Sequence, residues 1–331
     1  TEQLQAFAEK LQIPVATTFM AKGAIPFSHP LSLGTVGLQA HDYVACGFDR
    51  ADVIICVGYD MIEYHPCLWH PEKHAQLLHI DQTPAEVDEH YILAAGVIGD
   101  VGESLRRIGE LARPQREPEL GTLRDTILRE HSEHAENPTF PMVPQRILWD
   151  LRQVLEPEDI GISDVGAHKM WVARLYQAER PNTCIISNGF ASMGIGVPGA
   201  IAAKLAHPDR TAVTVTGDAG FLMNCQEIET ALRIETPIIV LVWNDSEYGL
   251  IHWHQLLQFG RPSHIAFNNP DFVKFADRFG AKGYRVQAAD ELVPTLRQAI
   301  ADNTVVIIDC PVDYSENVKL TEKLGSLVCR G

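Results

Sequence analysis

Two acidic residues follow consecutive apolar runs in the second half of the chain. Asp218 comes directly after the run 212–216, in the stretch TVTGDAGF, and Asp245 comes after the run 238–243, in LVWNDSEYG. Because the carboxyl ends of neighbouring parallel strands meet at one edge of a sheet, the two carboxylates are expected to converge. Converging oxygen ligands suit Mg²⁺ or Ca²⁺ better than Zn²⁺. The pattern therefore predicts a site for a hard divalent cation.

Small residues around Asp218 favour an anionic ligand beside that cation. Gly217, Ala219 and Gly220 let a ligand approach the backbone just before a helix N-terminus, where N–H groups point outward. Together with the two aspartates they are typical of a metal-bridged diphosphate site. Either aspartate by itself could be a helix N-cap, and it is the occurrence of both that favours the metal site.

A glycine-rich turn upstream offers a competing interpretation. Gly194–Gly199 (GIGVPG) fits the G-x-G-x-x-G fingerprint of dinucleotide-binding folds, and Asp218 could serve as its acidic partner. In that fold the glycines follow their strand directly, whereas here the segment 188–193 lies between the predicted strand and the first glycine. A nicotinamide-dependent dehydrogenase is therefore the second hypothesis, and it leaves Asp245 without a role.

The apolar pattern predicts the elements that position these residues. The predicted strands are 13–17, 52–57, 77–80, 97–98, 160–163, 184–187, 212–216, 238–243 and 305–309. The predicted helices are 4–11, 101–111, 120–133, 146–154, one from about 169, 197–206, 224–233, 271–279 and 291–301. Strands that alternate with helices indicate an α/β fold of two doubly wound parallel-sheet domains.

A change of composition separates the two series. Residues 113–140 are rich in Pro, Glu, Arg and His, and we interpret them as a linker that carries an exposed helix. The predicted domains are therefore 1–112, a central Rossmann-like α/β domain, and 141–331, the domain with the candidate diphosphate site.

Composition narrows the class of protein. The chain has 331 residues, 46% of them apolar and 21% charged, with a net charge of −16. That charge argues against a nucleic-acid partner, and the apolar runs are too short to span a bilayer. Seven cysteines, an odd number without a CxxC pair, favour reduced thiols and a cytoplasmic location.

The segments around the two aspartates resemble the signature of thiamine diphosphate enzymes, a Gly-Asp-Gly followed one strand–helix unit later by Asn-Asn. DVGAHKMW (164–171) resembles the VGQHQMW segment of acetohydroxyacid and acetolactate synthases, and residues 189–210 resemble their cofactor-bending segment. The likeness continues through NPDFVKFADRFGAKGYRV, LQIPVATTFMAKGAIP, VGYDMIEYHP and LLHIDQTPAEVD. It covers nearly the whole chain in the family's order, and the chain is identified as a member of the acetolactate synthase family.

The resemblance implies roles for individual residues. Asp218 and Asp245 would bind Mg²⁺ through their side chains, and Glu247 through its backbone carbonyl. Met193 would lie under the bend of thiamine diphosphate, and the carbonyl of Ala191 would accept from its exocyclic amine. The remaining cofactor contacts would come from Val165, Gly166, Ala167, His168, Gly217, Ala219, Gly220, Tyr248 and Gly249, and the substrate-pocket candidates are Ile251 and His254.

Departures from the family pattern resemble its catabolic, FAD-independent branch. Asp245 stands where most members have Asn, and His254 where the biosynthetic enzymes have Trp. The segment 58–66 replaces the GARFDDR of the flavin-containing branch and places Tyr64 at its substrate-carboxylate arginine. These differences imply pyruvate as donor and acceptor and no FAD. Ala167, in place of Gln, removes one polar cofactor contact.

The resemblance also implies the reaction and the partners. The family decarboxylates pyruvate on thiamine diphosphate and joins the hydroxyethyl unit to a second pyruvate, giving 2-acetolactate and CO₂. Its catalytic glutamate belongs to an N-terminal pyrimidine-binding domain of the same or a neighbouring chain, and homodimers or homotetramers are implied. The chain starts at Thr1 without that domain. We therefore expect it to lack the catalytic glutamate and to bind the Mg²⁺–diphosphate end of the cofactor without turnover.

Further alternatives stay open at the level of sequence. Another thiamine diphosphate decarboxylase or carboligase, of the glyoxylate or sulfoacetaldehyde type, would use the same scaffold. A non-catalytic binding fragment is also compatible with the expected absence of the glutamate.

Overall fold

The computed structural model describes residues 1–37, 43–114 and 121–321. They form two compact units. The first contains Thr1–Arg129 with the short segment Glu179–Pro181, and the second contains Glu130–Ala178 and Asn182–Leu320. The boundary at Arg129 falls inside the segment 113–140 that the composition marks as a linker.

The first unit contains two parallel sheets. Its strands are β1 (Val15–Thr17), β2 (Ser32–Thr35), β3 (Val53–Val57), β4 (Gln76–Asp81) and β5 (Leu93–Ile98). Its helices are α1 (Glu2–Leu11), α2 (Tyr43–Asp49), α3 (Pro66–Trp69), α4 (Val101–Leu111) and α5 (Gly121–Ser132). β1 pairs with β2, and the second sheet has the order β3-β4-β5.

Side chains of β3 and β4 pack on both faces of the three-stranded sheet. Ile80 packs with Phe7 and Leu105 of α1 and α4, whereas Leu77 packs with Trp69 on the opposite side. β5, by contrast, is largely exposed along its length. The described strands of this unit thus form two parallel sheets, and helices pack on both faces of β3 and β4 but leave β5 largely exposed.

Helix α5 differs from the exposed helix predicted for the linker. Leu123 and Ile127 are buried in one cluster with Phe27. The guanidinium of Arg124 donates to the carbonyl of Ser32 at 2.9 Å and lies 4.8 Å from the centre of the Phe27 ring. Leu123 and Ile127 are four residues apart, so they form one apolar stripe that packs on the first unit.

The second unit contains one six-stranded parallel sheet. Its strands are β6 (Ile160–Ser163), β7 (Cys184–Ile186), β8 (Ala212–Gly217), β9 (Ile239–Asn244), β10 (Lys282–Arg285) and β11 (Val306–Pro311). Its helices are α6 (Pro144–Val154), α7 (Ala167–Leu175), α8 (Gly196–Ala206), α9 (Asp218–Met223), α10 (Glu227–Arg233), α11 (Gly249–Phe259), α12 (Phe272–Phe279) and α13 (Leu292–Asp302), with short 3₁₀ turns at Ala289–Glu291 and Asn317–Thr321. The strand order is β10-β11-β9-β8-β6-β7.

Alternate residues of these strands face two layers of helices. Ile162, Val240 and Ile307 belong to a core cluster that they share with α8, α10 and α12. The intervening residues, such as Leu241 and Ile308, are also fully buried, and α6 contacts α7 and α13. Burial on both faces is the reason these strands are continuous apolar runs. The predicted α/β fold with parallel sheets is confirmed.

Two local differences separate the described helices of this unit from their prediction. The helix predicted over 224–233 begins later, as α10, and a separate helix that was not predicted, α9, precedes it and begins at Asp218 itself. α11, which the sequence did not indicate, follows directly after the second aspartate segment.

Among the described helices, none combines the length and apolarity that a membrane crossing requires.

The cysteines differ at one position from the expectation of reduced thiols. Cys56, Cys67, Cys184, Cys225 and Cys310 are free. Cys46, however, is disulfide-bonded, so the expectation is wrong at that position.

Candidate functional site

Three chain segments meet at the carboxyl edge of the six-stranded sheet. They follow β6, β8 and β9, which are direct neighbours in the sheet. From β6 the chain runs outward to β7 and then returns to β8 on the other side, so the strand order reverses beside β6. In open α/β sheets, ligands bind at such a reversal, outside the carboxyl ends of the strands. The predicted residues of the segments 165–168, 217–220 and 245–249 all lie at this edge.

Asp218 accepts hydrogen bonds on both oxygens of its carboxylate. It is the first residue of α9 and 1% exposed. Its Oδ1 accepts from the N–H of Ala219 at 2.8 Å. Its Oδ2 accepts from the N–H of Ser246 at 2.7 Å and from Nδ2 of Asn269 at 2.6 Å. Burial raises the pKa of Asp218, and these donors act against that rise.

Asp245 lies beside Asp218, and its ionised form is disfavoured by burial and by the negative charge of Asp218. Burial, followed by the negative charge of Asp218, raises the pKa of Asp245 to about 8. Its Oδ1 receives a long contact of 3.4 Å from the N–H of Glu247. Two adjacent carboxylates repel each other unless a proton or a cation lies between them. The tips of β8 and β9 therefore form an acidic pair, as the sequence predicted.

The backbone of Glu247 faces this pair. Glu247 forms an isolated antiparallel bridge with Ala266. The hydrogen bonds of that bridge come from its neighbours, since Tyr248 N–H donates to Ile265 and the carbonyl of Ser246 accepts from Phe267. The N–H of Glu247 points to Asp245 instead. The carboxylate of Glu247 turns away and contacts Nδ1 of His252 at 2.5 Å.

Glycines lie in close contact with Asp245 and His168. A Cβ on Gly249 would lie 3.0 Å from Oδ2 of Asp245. A Cβ on Gly217 would lie 3.4 Å from the ring of His168, and one on Gly166 only 2.7 Å from it. Gly249 therefore leaves room beside Asp245, and Gly217 and Gly166 leave room for the ring of His168.

The N-terminus of α7 contributes outward-pointing N–H groups and a histidine with one unpartnered ring nitrogen. Gly166 is the N-cap of α7, and Ala167 and His168 form its first turn. Burial lowers the pKa of His168 to about 4, although the charge of Asp164 acts in the opposite direction. The ring is therefore neutral at pH 7. Its Nε2 is buried and has no hydrogen-bond partner among the described residues. Such an atom is costly unless a ligand completes it.

The loop with Ala191 and Met193 is attached to the edge through Asp164. The N–H of Gly194 donates to Oδ1 of Asp164 at 2.9 Å, and the N–H of Gly196 donates to Oδ2 at 3.2 Å. Ala191 has a φ of 52°, a left-handed conformation that is unfavourable for a residue with a Cβ. Met193 directly precedes the anchored glycine, so its position is set by Asp164.

The glycine-rich turn has a packing explanation. A Cβ on Gly196 would lie 2.5 Å from Oγ1 of Thr214 and 3.1 Å from Oδ2 of Asp164. A Cβ on Gly199 would lie 3.1 Å from Cγ2 of Ile162. These glycines allow α8 to pack closely against β6 and β8. Because that contact accounts for their spacing, the G-x-G-x-x-G match does not require a dinucleotide.

Three predicted residues belong to the start of α11 and its first turns. Tyr248 is the N-cap of α11, and its ring packs against Phe267 with centroids 5.1 Å apart. Ile251 is 50% exposed in the first turn of α11. His254 follows three residues later, is exposed and stacks on Trp253. The structure therefore places Ile251 and His254 on an open face of the helix, outside the hydrogen bonds around Asp218.

Sequence reasoning missed Asp164 and Asn269. Asp164 follows β6 directly, and this position was a usable signal because it repeats the pattern of Asp218 and Asp245. Asn269 has no comparable signal, since it reaches Asp218 from a separate loop before α12.

The donor set fits Mg²⁺ bound to a diphosphate. In the described part of the chain, no group of three or more His, Cys, Asp or Glu side chains is arranged to hold a metal. A cation at the Asp218–Asp245 pair would therefore need further oxygens from a carbonyl, water or a bound phosphate. Mg²⁺ is commonly bound in this way, through one or two carboxylates and the phosphates of its ligand.

Two family models match this chain. The model described as "Thiamine pyrophosphate enzyme, C-terminal TPP binding domain" matches residues 164–310, which contain the acidic pair and the loop with Met193. The model of the central domain of the same enzymes matches residues 1–108. The chain belongs to the thiamine pyrophosphate enzymes. The acidic edge therefore lies within the domain that binds thiamine pyrophosphate in this family.

Relatives of this thiamine pyrophosphate enzyme chain carry one name repeatedly. The chain is 34% identical to the acetolactate synthase of Bacillus subtilis, over 97% of the chain and 58% of that protein. It is 33% identical to the catabolic acetolactate synthase of Raoultella terrigena over 88% of the chain and 53% of that protein. A probable acetolactate synthase large subunit of Methanocaldococcus jannaschii is 32% identical over 99% of the chain and 57% of that protein. The chain thus spans little more than half the length of these curated relatives.

Proposed function

We propose that this chain provides the cofactor-anchoring site of an acetolactate synthase-type carboligase, which joins two pyruvate molecules to give 2-acetolactate and CO₂. The observation that carries the proposal is the acidic pair of buried Asp218 and half-buried Asp245 beside the N-terminus of α7. Two negative charges in a poorly solvated place are unfavourable without a cation. Outward-pointing N–H groups next to them suit the anion that would accompany that cation.

Each group at the edge has a proposed task. Asp218 and Asp245 would hold Mg²⁺ through side-chain oxygens, and Glu247 through its carbonyl. The remaining diphosphate contacts would come from the backbone and small side chains of Val165, Gly166, Ala167, His168, Gly217, Ala219, Gly220, Tyr248 and Gly249. Met193 and the carbonyl of Ala191 would orient the aminopyrimidine end.

The protein's own residues bind and orient. Thiamine diphosphate, when bound, supplies a thiazolium ring that accepts the electrons released as CO₂ leaves a 2-oxo acid. The hydrogen bonds that Asp164 accepts from the N–H groups of Gly194 and Gly196 keep the Met193 loop in one position. His168 is neutral, so it can form a hydrogen bond to a phosphate oxygen without adding charge. Gly166, Gly217 and Gly249 have no side chains, so they would leave room for the diphosphate beside His168 and Asp245.

The substrate and partners follow from the same proposal. Pyruvate would be donor and acceptor, and no FAD would be needed. Tyr64 is buried among aromatic residues that include Trp69 and Tyr91, an arrangement that supports a packing role where the flavin-containing branch has an arginine. An N-terminal pyrimidine-binding domain of the same or a neighbouring chain would supply the catalytic glutamate. A homodimer or homotetramer in the cytoplasm would bring the two domains together.

Calorimetric titration with thiamine diphosphate, with and without Mg²⁺, tests the anchoring site. We expect Mg²⁺-dependent binding by the wild type and its loss in Asp218→Asn. Asp209→Asn, an exposed aspartate in the loop after α8, is the matched control and should bind as the wild type does. Equal binding by the wild type and Asp218→Asn would overturn the proposed site, and binding of NAD without metal would favour the dehydrogenase.

Product analysis tests the reaction. The protein, supplied with the pyrimidine-binding domain of an acetolactate synthase where turnover needs it, is incubated with pyruvate alone. We expect 2-acetolactate and CO₂ in equal amounts. A different product, or activity restricted to glyoxylate or sulfoacetaldehyde, would assign the chain to another carboligase on the same scaffold.

A further inference from the structure

The side-chain amide of Asn269 joins three oxygen atoms near the acidic pair. Its Nδ2 donates to Oδ2 of Asp218 at 2.6 Å and to Oδ1 of Asn244 at 2.9 Å, with a longer contact of 3.3 Å to Oγ of Ser246. The opposite atom, Oδ1 of Asn269, is buried and without a hydrogen-bond partner in the part of the chain that the structure describes. The amide therefore uses its donors fully and leaves its acceptor unused.

This orientation follows from electrostatics. If the amide were reversed, Oδ1 of Asn269 would face oxygens of Asp218 and Asn244, and these contacts would be repulsive. A buried acceptor without a partner destabilises the folded protein. The orientation in which Nδ2 donates to Asp218 is therefore kept although Oδ1 of Asn269 is left without a donor among the described residues.

The contact continues as a chain of hydrogen bonds across the sheet edge. Asn244 receives from Asn269 and donates through Nδ2 to Oδ1 of Asp309 at 2.9 Å. The other oxygen of Asp309 accepts from Nε of Arg285 at 2.8 Å. Asp309 is buried and Arg285 is its ion-pair partner. The orientation of Asn269 is thus fixed by a partly buried network of hydrogen bonds that ends in an ion pair. Such networks keep a side chain in one orientation.

The two oxygens of Asp218 have different surroundings as a result. Oδ2 accepts from both Asn269 and the N–H of Ser246, whereas Oδ1 accepts from the N–H of Ala219. A carboxylate oxygen with two strong donors has little capacity for a metal. Oδ1 keeps a free lone pair and is the oxygen offered to a cation.

We propose that Asn269 is a positioning residue of the divalent-cation site, which fixes the Asp218 carboxylate so that Oδ1 faces the cation. This inference rests on the proposed function, because it presupposes a cation at the acidic pair. Residues that orient metal ligands through a hydrogen bond commonly change metal affinity by about 10–100-fold when they are removed.

Binding of Mn²⁺ in the presence of thiamine diphosphate, followed by electron paramagnetic resonance, tests the role without reference to turnover. We expect the Kd for Mn²⁺ to rise about 10–100-fold in Asn269→Ala. Asn268→Ala is the matched control, since Asn268 is the exposed neighbour in the same loop. Its Kd should stay within about twofold of the wild-type value, well below the change expected for a ligand-orienting residue. Circular dichroism and Tm report whether each variant is folded.

The outcomes separate the two proposals. If the wild type binds Mn²⁺ and a folded Asn269→Ala binds it equally well, the positioning role is overturned while the anchoring site stands. If the wild type binds no Mn²⁺, both proposals fail. Should Asn269→Ala not fold, Asn269→Ser replaces it: a wild-type Kd overturns the role, and a smaller rise in Kd, because the hydroxyl still donates, supports it.

Discussion

Asp164 and Gly194 are joined by a hydrogen bond of 2.9 Å from the Gly194 N–H to Oδ1 of the buried carboxylate. Oδ2 of the same carboxylate also accepts from the hydroxyl of Thr216 on β8 at 3.1 Å. One side chain therefore connects the tip of β6, the tip of β8 and the loop that carries Met193. The loop depends on Asp164 for its position, since its own residues include the left-handed Ala191.

Asp164→Asn is expected to loosen that loop. The amide has the shape of the carboxylate, but one of its oxygens becomes a donor, so at least one buried N–H or O–H group loses its acceptor. The cost should be about 1–3 kcal/mol in the free energy of unfolding. Urea denaturation measures that cost, and hydrogen exchange of the Gly194 amide should become faster.

A matched control is Asp159→Asn. Asp159 is also buried and accepts from the N–H groups of Thr211 and Glu156. We expect Asp159→Asn to destabilise the protein and to leave exchange of the Gly194 amide in the native state unchanged. Unaltered exchange of that amide in Asp164→Asn would contradict the anchoring role.

Gly249→Ala is expected to weaken cofactor binding. The added Cβ would lie 3.0 Å from Oδ2 of Asp245, where the cation is proposed to bind. Overpacking of this kind costs about 1–3 kcal/mol, and about 1.4 kcal/mol is tenfold in Kd. Calorimetric titration with Mg²⁺ and thiamine diphosphate gives the Kd. Gly121→Ala, where a Cβ meets no atom within 4 Å, is the control and should bind normally.

Cation binding is expected to strengthen as the pH rises towards 8. With its pKa raised to about 8, Asp245 is mostly protonated at pH 7 in the absence of a cation. The cation must displace that proton, so the Kd for Mn²⁺ should fall by up to about tenfold per pH unit below pH 8 and level off above it. Titrations from pH 6 to pH 9 measure this. In Asp245→Asn the slope should be shallower, and an equal slope would show that another group is responsible.

The buried His168 is expected to make the protein sensitive to mild acid. Its pKa is lowered to about 4, below the 6.5 of an unfolded chain, so the unfolded state takes up a proton that the native state does not. The stability that depends on neutral His168 is therefore complete above pH 6.5 and declines as the pH falls towards 4. The slope contributed is up to about 1.4 kcal/mol per pH unit.

Urea unfolding of the wild type and His168→Gln between pH 7 and pH 4.5 checks the effect. The difference in unfolding free energy between the two proteins should shrink as the pH falls, because only the wild type has this histidine to protonate. A difference that stays constant across the range would contradict a neutral, buried His168.

Local sequence patterns determined much of this protein. An apolar run followed by an acidic residue identified β8 with Asp218 and β9 with Asp245, because strand formation and the turn after it depend on neighbouring residues. The parallel α/β class followed from the alternation of such runs with helices. The boundaries of the predicted domains stay a prediction.

Tertiary structure decided the remainder. Asn269 reaches Asp218 only because the loop before α12 folds over the sheet edge, and no pattern along the chain records that approach. The glycines at 194–199 fit a dinucleotide fingerprint in the local sequence. In the structure they are needed because Asp164, Thr214 and Ile162, which belong to other chain segments, lie too close for a Cβ at Gly196 or Gly199. Likewise, α5 was predicted to be exposed, but its apolar stripe of Leu123 and Ile127 packs against Phe27 in the structure. Which strands lie side by side is set by long-range packing, so the partners of a residue are decided by the fold.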